Sequence, residues 1–312
     1  MPTAYFKEPK NWGEIENFAN IDIGLIKHDF WLYEKIFFYD TCSFRYHANL
    51  SDDTVRILLD YFKSCNAIVV ITRVILMELS SMSGLLEMNY INYLRQITNN
   101  GIPVHILNEE DIYDMMSECF ASASAINSYL SWAVRYVKMP VSTITTVLMR
   151  DKFLQQALIK GADQDSTAIY KCFFATLRDN KESGDNLGEE ILAICMHLLS
   201  HIPGIQDGKL NVITDDKGGA GKIASLMKKT KSHYTGSRII VYSTPKLIQT
   251  MYKSGIKMDE KCIVSILSTI STKQLKIVGT TEYDLEVDDC ISVDSRELAK
   301  WIMEPNKINI LF

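Results

Sequence analysis

Several apolar runs in this chain end on acids. Lys35-Ile-Phe-Phe-Tyr-Asp40 and Leu210-Asn-Val-Ile-Thr214, the latter followed by Asp215 and Asp216, read as strands that deliver carboxylates at their C-terminal ends. Two helical patterns carry acids near their starts, Glu78 in Ile71-Thr-Arg-Val-Ile-Leu-Met-Glu78 and Glu189 in Asn186-Leu-Gly-Glu189-Glu-Ile-Leu-Ala193. In an open parallel sheet, ligands gather outside the carboxyl ends of the strands. Four carboxylates converging there repel one another unless a cation neutralises them, and an all-oxygen set suits Mg²⁺ or Mn²⁺.

Positive charge follows the last of these acids. From Lys209 to Arg238 there are seven bases, Lys209, Lys217, Lys222, Lys228, Lys229, Lys231 and Arg238, against only Asp215 and Asp216. Such a stretch is expected to hold a polyanion backbone. Gly218, Gly219 and Gly221 between Lys217 and Lys222 are expected to let a phosphate approach the backbone closely, ahead of a helix N-terminus. The stretch is not a nucleotide-binding phosphate loop, because Asp216 and Ile223 stand where that motif needs Gly and Ser or Thr.

The elements that must position these residues follow a strand–helix rhythm. Strands are expected at Lys35–Asp40, Ala67–Thr72, Gly101–Leu107, Leu210–Thr214 and Arg238–Tyr242, with helices after Ser51, through Val74–Leu79, over Leu187–Leu199 and from about Pro245. From Glu109 to about Ile159 the pattern is mostly helical, broken at Pro140, and a polar gap runs over Asp179–Asn186. Residues 1–33 show no clear period and read as an N-terminal appendage. Beyond residue 256, a helix over Asp259–Thr269, strands at Leu275–Val278 and Cys290–Val293, and a closing helix over Ser295–Met303 form a separate unit.

In order and context, Asp40-Thr41 after an apolar strand, Ile71-Thr-x-Val-Ile-x-x-Glu78-Leu79, Gly188-Glu189-x-x-x-Ala193 and Val212-Ile-Thr-Asp-Asp216 resemble the four acidic motifs of PIN-domain nucleases. The resemblance spans about residues 34–256. It implies an α/β fold, a PIN-like α/β/α sandwich with a parallel central sheet, here with a helical insertion at about 109–180 and an acidic α+β C-terminal extension over 257–312. It also implies Mg²⁺- or Mn²⁺-dependent cleavage of RNA. Carried over, Asp40, Glu78, Glu189 and Asp216 are the metal-site acids, Asp215 is a weaker metal candidate, and Thr214 is the supporting hydroxyl. Glu189 is preferred to Asp185 because Leu192 and Ala193 then give the helix its apolar face. Thr214, Lys217, Lys222, Lys228, Lys229 and Arg238 are the residues expected to meet the substrate. Cys42 departs from the small polar residue common in the family, and it also stands where an aspartate-nucleophile phosphatase needs a second Asp.

Rival readings are a catalytically silent RNA-binding or regulatory module, and a metal-dependent DNA nuclease or phosphatase. Each acid taken singly reads as a turn residue or a solvated helix position. His197 and His201 have the i, i+4 spacing of metal ligands, but they read as a helix flank or core pair without a third ligand. The aromatic and Met-rich stretches Met82–Tyr93 and Met115–Phe120 read as core.

Composition narrows the classes further. In 312 residues, 47% hydrophobic and 23% charged, a sizeable folded core is expected and a disordered or collagen-like chain is excluded. The net charge of −5 excludes an overall basic coat but not a local patch. Seven scattered cysteines without a CxxC pair argue for reduced thiols. No secretory signal and no membrane span are read, so a cytoplasmic protein is expected. RNA is the expected partner. The stretch Glu282–Glu304, with eight acids against Arg296 and Lys300, is the expected surface for a protein partner or for docking onto the basic patch, and a homo-oligomer is left open.

Overall fold

The computed structural model describes residues 8–80, 83–137, 142–160, 166–231, 235–282, 284 and 286–312. At its centre lie five parallel strands: β1 (Lys35–Tyr39), β2 (Ala67–Thr72), β3 (Val104–Leu107), β4 (Leu210–Ile213) and β5 (Ile240–Tyr242). Their order is β3-β2-β1-β4-β5, with Ile36 facing Ile68 on one side and Leu210 on the other. β2, β3 and β4 are buried along their whole length, as the unbroken apolar runs require of a sheet covered on both faces. The sheet is flanked by helices, an α/β arrangement consistent with an α/β/α sandwich. The chain lays β1, β2 and β3 outward, then returns to place β4 against the free side of β1. The crevice between the ends of β1 and β4 is therefore the point where strand order reverses, and ligands favour that position in such sheets.

The helices before the long connection are α1 (Ile23–Leu32), α2 (Thr41–Ala48), α3 (Asp52–Ser64), α4 (Arg73–Leu79) and α5 (Met88–Asn99). The expected helical insertion is α6 (Ile112–Ser117), α7 (Ala123–Tyr136), α8 (Thr143–Arg150), α9 (Lys152–Lys160) and α10 (Ser166–Asp179). The break expected at Pro140, and Met82 among the residues read as core, lie outside the described residues. α11 (Leu187–Ser200), α12 (Lys217–Thr230) and α13 (Thr244–Lys253) complete the helices that precede the C-terminal unit.

Residues 8–33 do more than append. Asn20 accepts from Ile106 N at 2.8 Å and donates to Val104 O at 2.9 Å, a single parallel bridge that covers the outer edge of β3. Asp22 then caps α1 by accepting from Leu25 N at 2.9 Å.

The C-terminal unit holds α14 (Glu260–Ile270), α15 (Ser295–Met303) and an antiparallel sheet of order β7-β6-β8, from β6 (Leu275–Thr281), β7 (Asp288–Val293) and β8 (Ile308–Ile310). β8 is too short to show a period in the sequence. It is secured by Gln249 of α13, whose amide donates to Ile308 O at 2.8 Å and accepts from Ile310 N at 3.0 Å. α14 also packs on α2 and α3. All seven cysteines are free thiols. Among the described residues no helix is long and apolar enough to cross a membrane.

Candidate active site

Asp40 is the residue at which β1 becomes α2. Its Oδ1 accepts from Thr41 N at 2.8 Å, capping the helix, and its Oδ2 accepts from Thr214 Oγ1 at 2.8 Å and from Cys42 Sγ at 3.0 Å. Only 5% of Asp40 is exposed. The Thr214 hydroxyl in turn accepts from Asp216 N at 3.1 Å, so one side chain ties the acid after β1 to the acids after β4. Asp216 caps α12 by accepting from Gly218 N at 2.7 Å.

Glu78 reaches this edge from α4. One carboxylate oxygen accepts from the Thr41 hydroxyl, the other lies 3.0 Å from Lys181 Nζ, and Arg45 donates to the Glu78 carbonyl at 2.9 Å. A side chain at Gly188 would collide with the Glu78 carboxylate, so the glycine ahead of Glu189 is what lets α11 approach. Burial raises the Glu78 pKa, with Lys181 and Thr41 opposing and the Asp40 charge adding to the rise.

Glu189 faces Asp216 and Lys222. Lys222 Nζ donates to Glu189 Oε2 at 2.5 Å. Burial and the hydrogen bond with Asp216 push Glu189 up to about 7 against the pull of Lys222, while that same bond lowers Asp216. The two carboxyls titrate as a coupled pair, with the proton affinity of Glu189 raised and that of Asp216 lowered. The acids thus form two pairs, Asp40 with Glu78 and Glu189 with Asp216, bridged through Thr214 and each accompanied by one lysine. Among the described residues no three His, Cys, Asp or Glu side chains stand close enough to form a metal cage as they are.

The other expected residues divide. Asp185 does not meet Asp216. It accepts from Leu187 N at 3.0 Å at the start of α11, from Glu182 N at 2.7 Å and from Lys181. Asp215 turns the opposite way from its neighbour, accepting from Ser43 Oγ at 2.7 Å, Thr244 Oγ1 at 2.6 Å and Thr244 N at 2.7 Å. Burial raises its pKa despite these donors. Thr214 is buried and Lys222 nearly so, whereas Lys217 is exposed at the first position of α12.

The basic stretch is not one patch. Lys228 and Lys229 lie roughly 17 Å along α12 from its capped end, at the usual rise of 1.5 Å per residue. Arg238 precedes β5, where its carbonyl accepts from Gly208 N at 2.7 Å, at the edge of the sheet opposite the acids. The glycines expected to form an open phosphate cradle are instead the first turns of α12. Glycine costs about 1 kcal/mol in a helix, and α12 forms nonetheless, capped by Asp216 and packed against α11.

Residues not singled out in the sequence complete the support. Glu109 is wholly buried, accepts from Val74 N at 2.7 Å and so caps the helix that carries Glu78. Arg178, near the end of the insertion, pairs with Glu109 and makes a fork onto Glu110 at 2.6 and 2.7 Å, pinning the two ends of the insertion together. Glu109 follows β3 as Asp40 follows β1, so the strand-end rule could have found it. Lys181 lies in the polar gap, where spacing gives no signal. His197 and His201 are both buried, with ring centroids 4.4 Å apart, as a core pair. Comparison of the chain with protein families, with curated proteins and with solved structures returned no match in any of the three.

Proposed function

We propose that the chain is a PIN-like, metal-dependent endoribonuclease whose site is the edge between β1 and β4. The observation that carries this reading is the placement of Asp40 and Asp216 on either side of the strand-order reversal, joined through Thr214, with Glu78 and Glu189 brought to the same edge. The donors fit Mg²⁺ or Mn²⁺ in kind, since they are carboxylate oxygens, and a bound ion would take the place of the two ammonium groups that now meet Glu78 and Glu189. Asp40, Glu78, Glu189 and Asp216 would hold the ion. When bound, it would supply Lewis acidity toward a phosphodiester and lower the pKa of an attacking water.

The chain's own residues prepare that chemistry. Thr41 and Thr214 fix the Glu78 and Asp40 carboxylates by donating to them. The Glu189 carboxyl is pushed up to about 7, so any proton it holds must leave before both of its oxygens serve as ligands. Lys217, exposed beside Asp216, offers positive charge to an RNA backbone at the rim of the site. Incubation of labelled RNA with Mn²⁺ tests the reading: cleavage by the wild type and none by Asp40→Asn is expected, and equal cleavage by both defeats it.

A second reading is favoured by one observation. Lys181 already pairs with Glu78, and Lys222 with the Glu189–Asp216 pair, as they would in a catalytically silent RNA-binding module. RNA bound but left uncut in Mn²⁺ supports that module, and cleavage of labelled DNA with RNA spared would shift the substrate class.

A further inference from the structure

Two lysines sit inside the acidic edge, and their burial needs a reason. The Lys181 side chain is 2% exposed and that of Lys222 is 9% exposed. Removing an ammonium from water costs several kcal/mol unless carboxylates compensate. Here each lysine compensates a different pair of acids, Lys181 at Glu78 and Lys222 at Glu189. A lysine is a compact point charge on a flexible stem, so it can leave a carboxylate without disturbing the backbone.

The setting of Lys181 is the more telling. It follows the end of α10 by two residues, close to Arg178, which pairs with Glu109 and Glu110. Besides Glu78, its ammonium meets Asp185 and donates to the Glu182 carbonyl at 3.3 Å. Asp185 is held in place by Leu187 N and Glu182 N, independently of the lysine. Lys181 thus has a fixed partner that stays with it and a second partner, Glu78, that it can give up.

Resting on the metal-site reading above, we propose that cation binding is an exchange, in which Lys181 yields Glu78 to the divalent ion and falls back on Asp185. The insertion sets the affinity of the site through this one residue. Lys181 is then a positioning residue: in the cation-free chain it holds the Glu78 carboxylate at the edge, and it competes with any ion that arrives.

The test uses the full chain and Mn²⁺ alone, read by calorimetric titration and by thermal melting with and without the ion. Lys181→Met is expected to bind Mn²⁺ about tenfold or more tightly than the wild type, because a competing charge is gone. Its cation-free melting temperature should fall, and Mn²⁺ should raise it by more than in the wild type. Lys181→Arg, which keeps the charge, should bind no tighter than the wild type. Asp185→Asn, which removes the fallback partner, should bind more weakly, and it provides the same test if Lys181→Met fails to fold. Equal or weaker binding by folded Lys181→Met overturns the exchange and leaves the metal site standing. Binding by Lys181→Met alone supports the exchange in its strongest form. No Mn²⁺ binding by any folded variant overturns the metal reading and the exchange with it.

Discussion

Glu189 and Glu190 are consecutive residues of α11 whose side chains enter two different environments. Glu190 is wholly buried and accepts from Ser142 Oγ at 3.0 Å, Thr143 N at 3.2 Å and Ile144 N at 3.0 Å, the opening of α8. Glu189 meets an ammonium and a second carboxylate. Asp215 and Asp216 divide in the same way. Asp215 is surrounded by hydroxyl and amide donors, one of which, Thr244 Oγ1, continues 3.0 Å to His47 and from there to Tyr39 and Tyr93 at 2.8 and 2.7 Å. Burial lowers His47 to about 3 and keeps it neutral in that chain. The contrast is between carboxylates satisfied by the fold's own neutral donors, which serve as anchors, and carboxylates paired with a lysine ammonium.

The largest expected effect lies at a buried carboxylate that combines both kinds of partner, Glu109, which accepts from Val74 N and pairs with Arg178. Arg178→Met strands the buried Glu109 carboxylate without its cation and should cost about 3–5 kcal/mol, read from the urea unfolding midpoint. A loss close to zero would mean that the insertion is not clamped there. Next comes Asp40, a site acid whose three donors are all neutral: Asp40→Asn retains the cap acceptor on α2 and should unfold near the wild-type midpoint, while on the proposed nuclease reading Mn²⁺-dependent RNA cleavage falls by about 10²–10³-fold. A large stability loss with activity retained would reverse the roles assigned to the two groups.

A smaller effect is expected at the second anchor. Asp215→Ala orphans Thr244 N and two hydroxyls, at a cost of about 1–3 kcal/mol in unfolding free energy. Mn²⁺ affinity should change less in this variant than in Asp216→Asn, and the opposite ranking would make Asp215 the ligand.

The smallest effect is pH-dependent. Glu189 in the fold titrates near 7, above its ordinary value of 4.5, so between those values the folded chain retains a proton that the unfolded chain has released. This group therefore makes stability fall as pH rises through that window, by at most about 1.4 kcal/mol per pH unit. Mn²⁺ affinity should rise over the same interval as the proton leaves. Glu189→Gln should flatten the stability slope, and an unchanged slope would assign the proton elsewhere.

The parallel sheet was legible because its strands are buried on both faces and therefore read as unbroken apolar runs. The acids were legible because they stop those runs. α1 was not, since Leu25, Trp31 and Leu32 are exposed while only Ile26 and Phe30 are buried, which leaves no apolar stripe to read. α2 is short and polar, and it exists because Asp40 caps it and Phe44 and His47 are buried beneath it. Lys181 and Arg178 act through partners remote in sequence, which periodicity cannot reveal. The glycines of α12 pointed to a loop because the helix that packs against them, α11, lies at a remote position in the sequence.

The order β3-β2-β1-β4-β5 also bears on when such a site can come into being. β1 must wait for β4, and the Ile36–Leu210 pairing closes over β2, β3 and the whole insertion. Contacts of such long sequence separation form late and slowly. A nascent chain that has not yet emitted Leu210 carries Asp40 and Glu78 but neither Thr214 nor Asp216, and the free flank of β1 is still unpaired. Pairing of β4 with β1 and assembly of the acidic edge thus go together, and a partly synthesised chain is spared any chemistry that the edge performs.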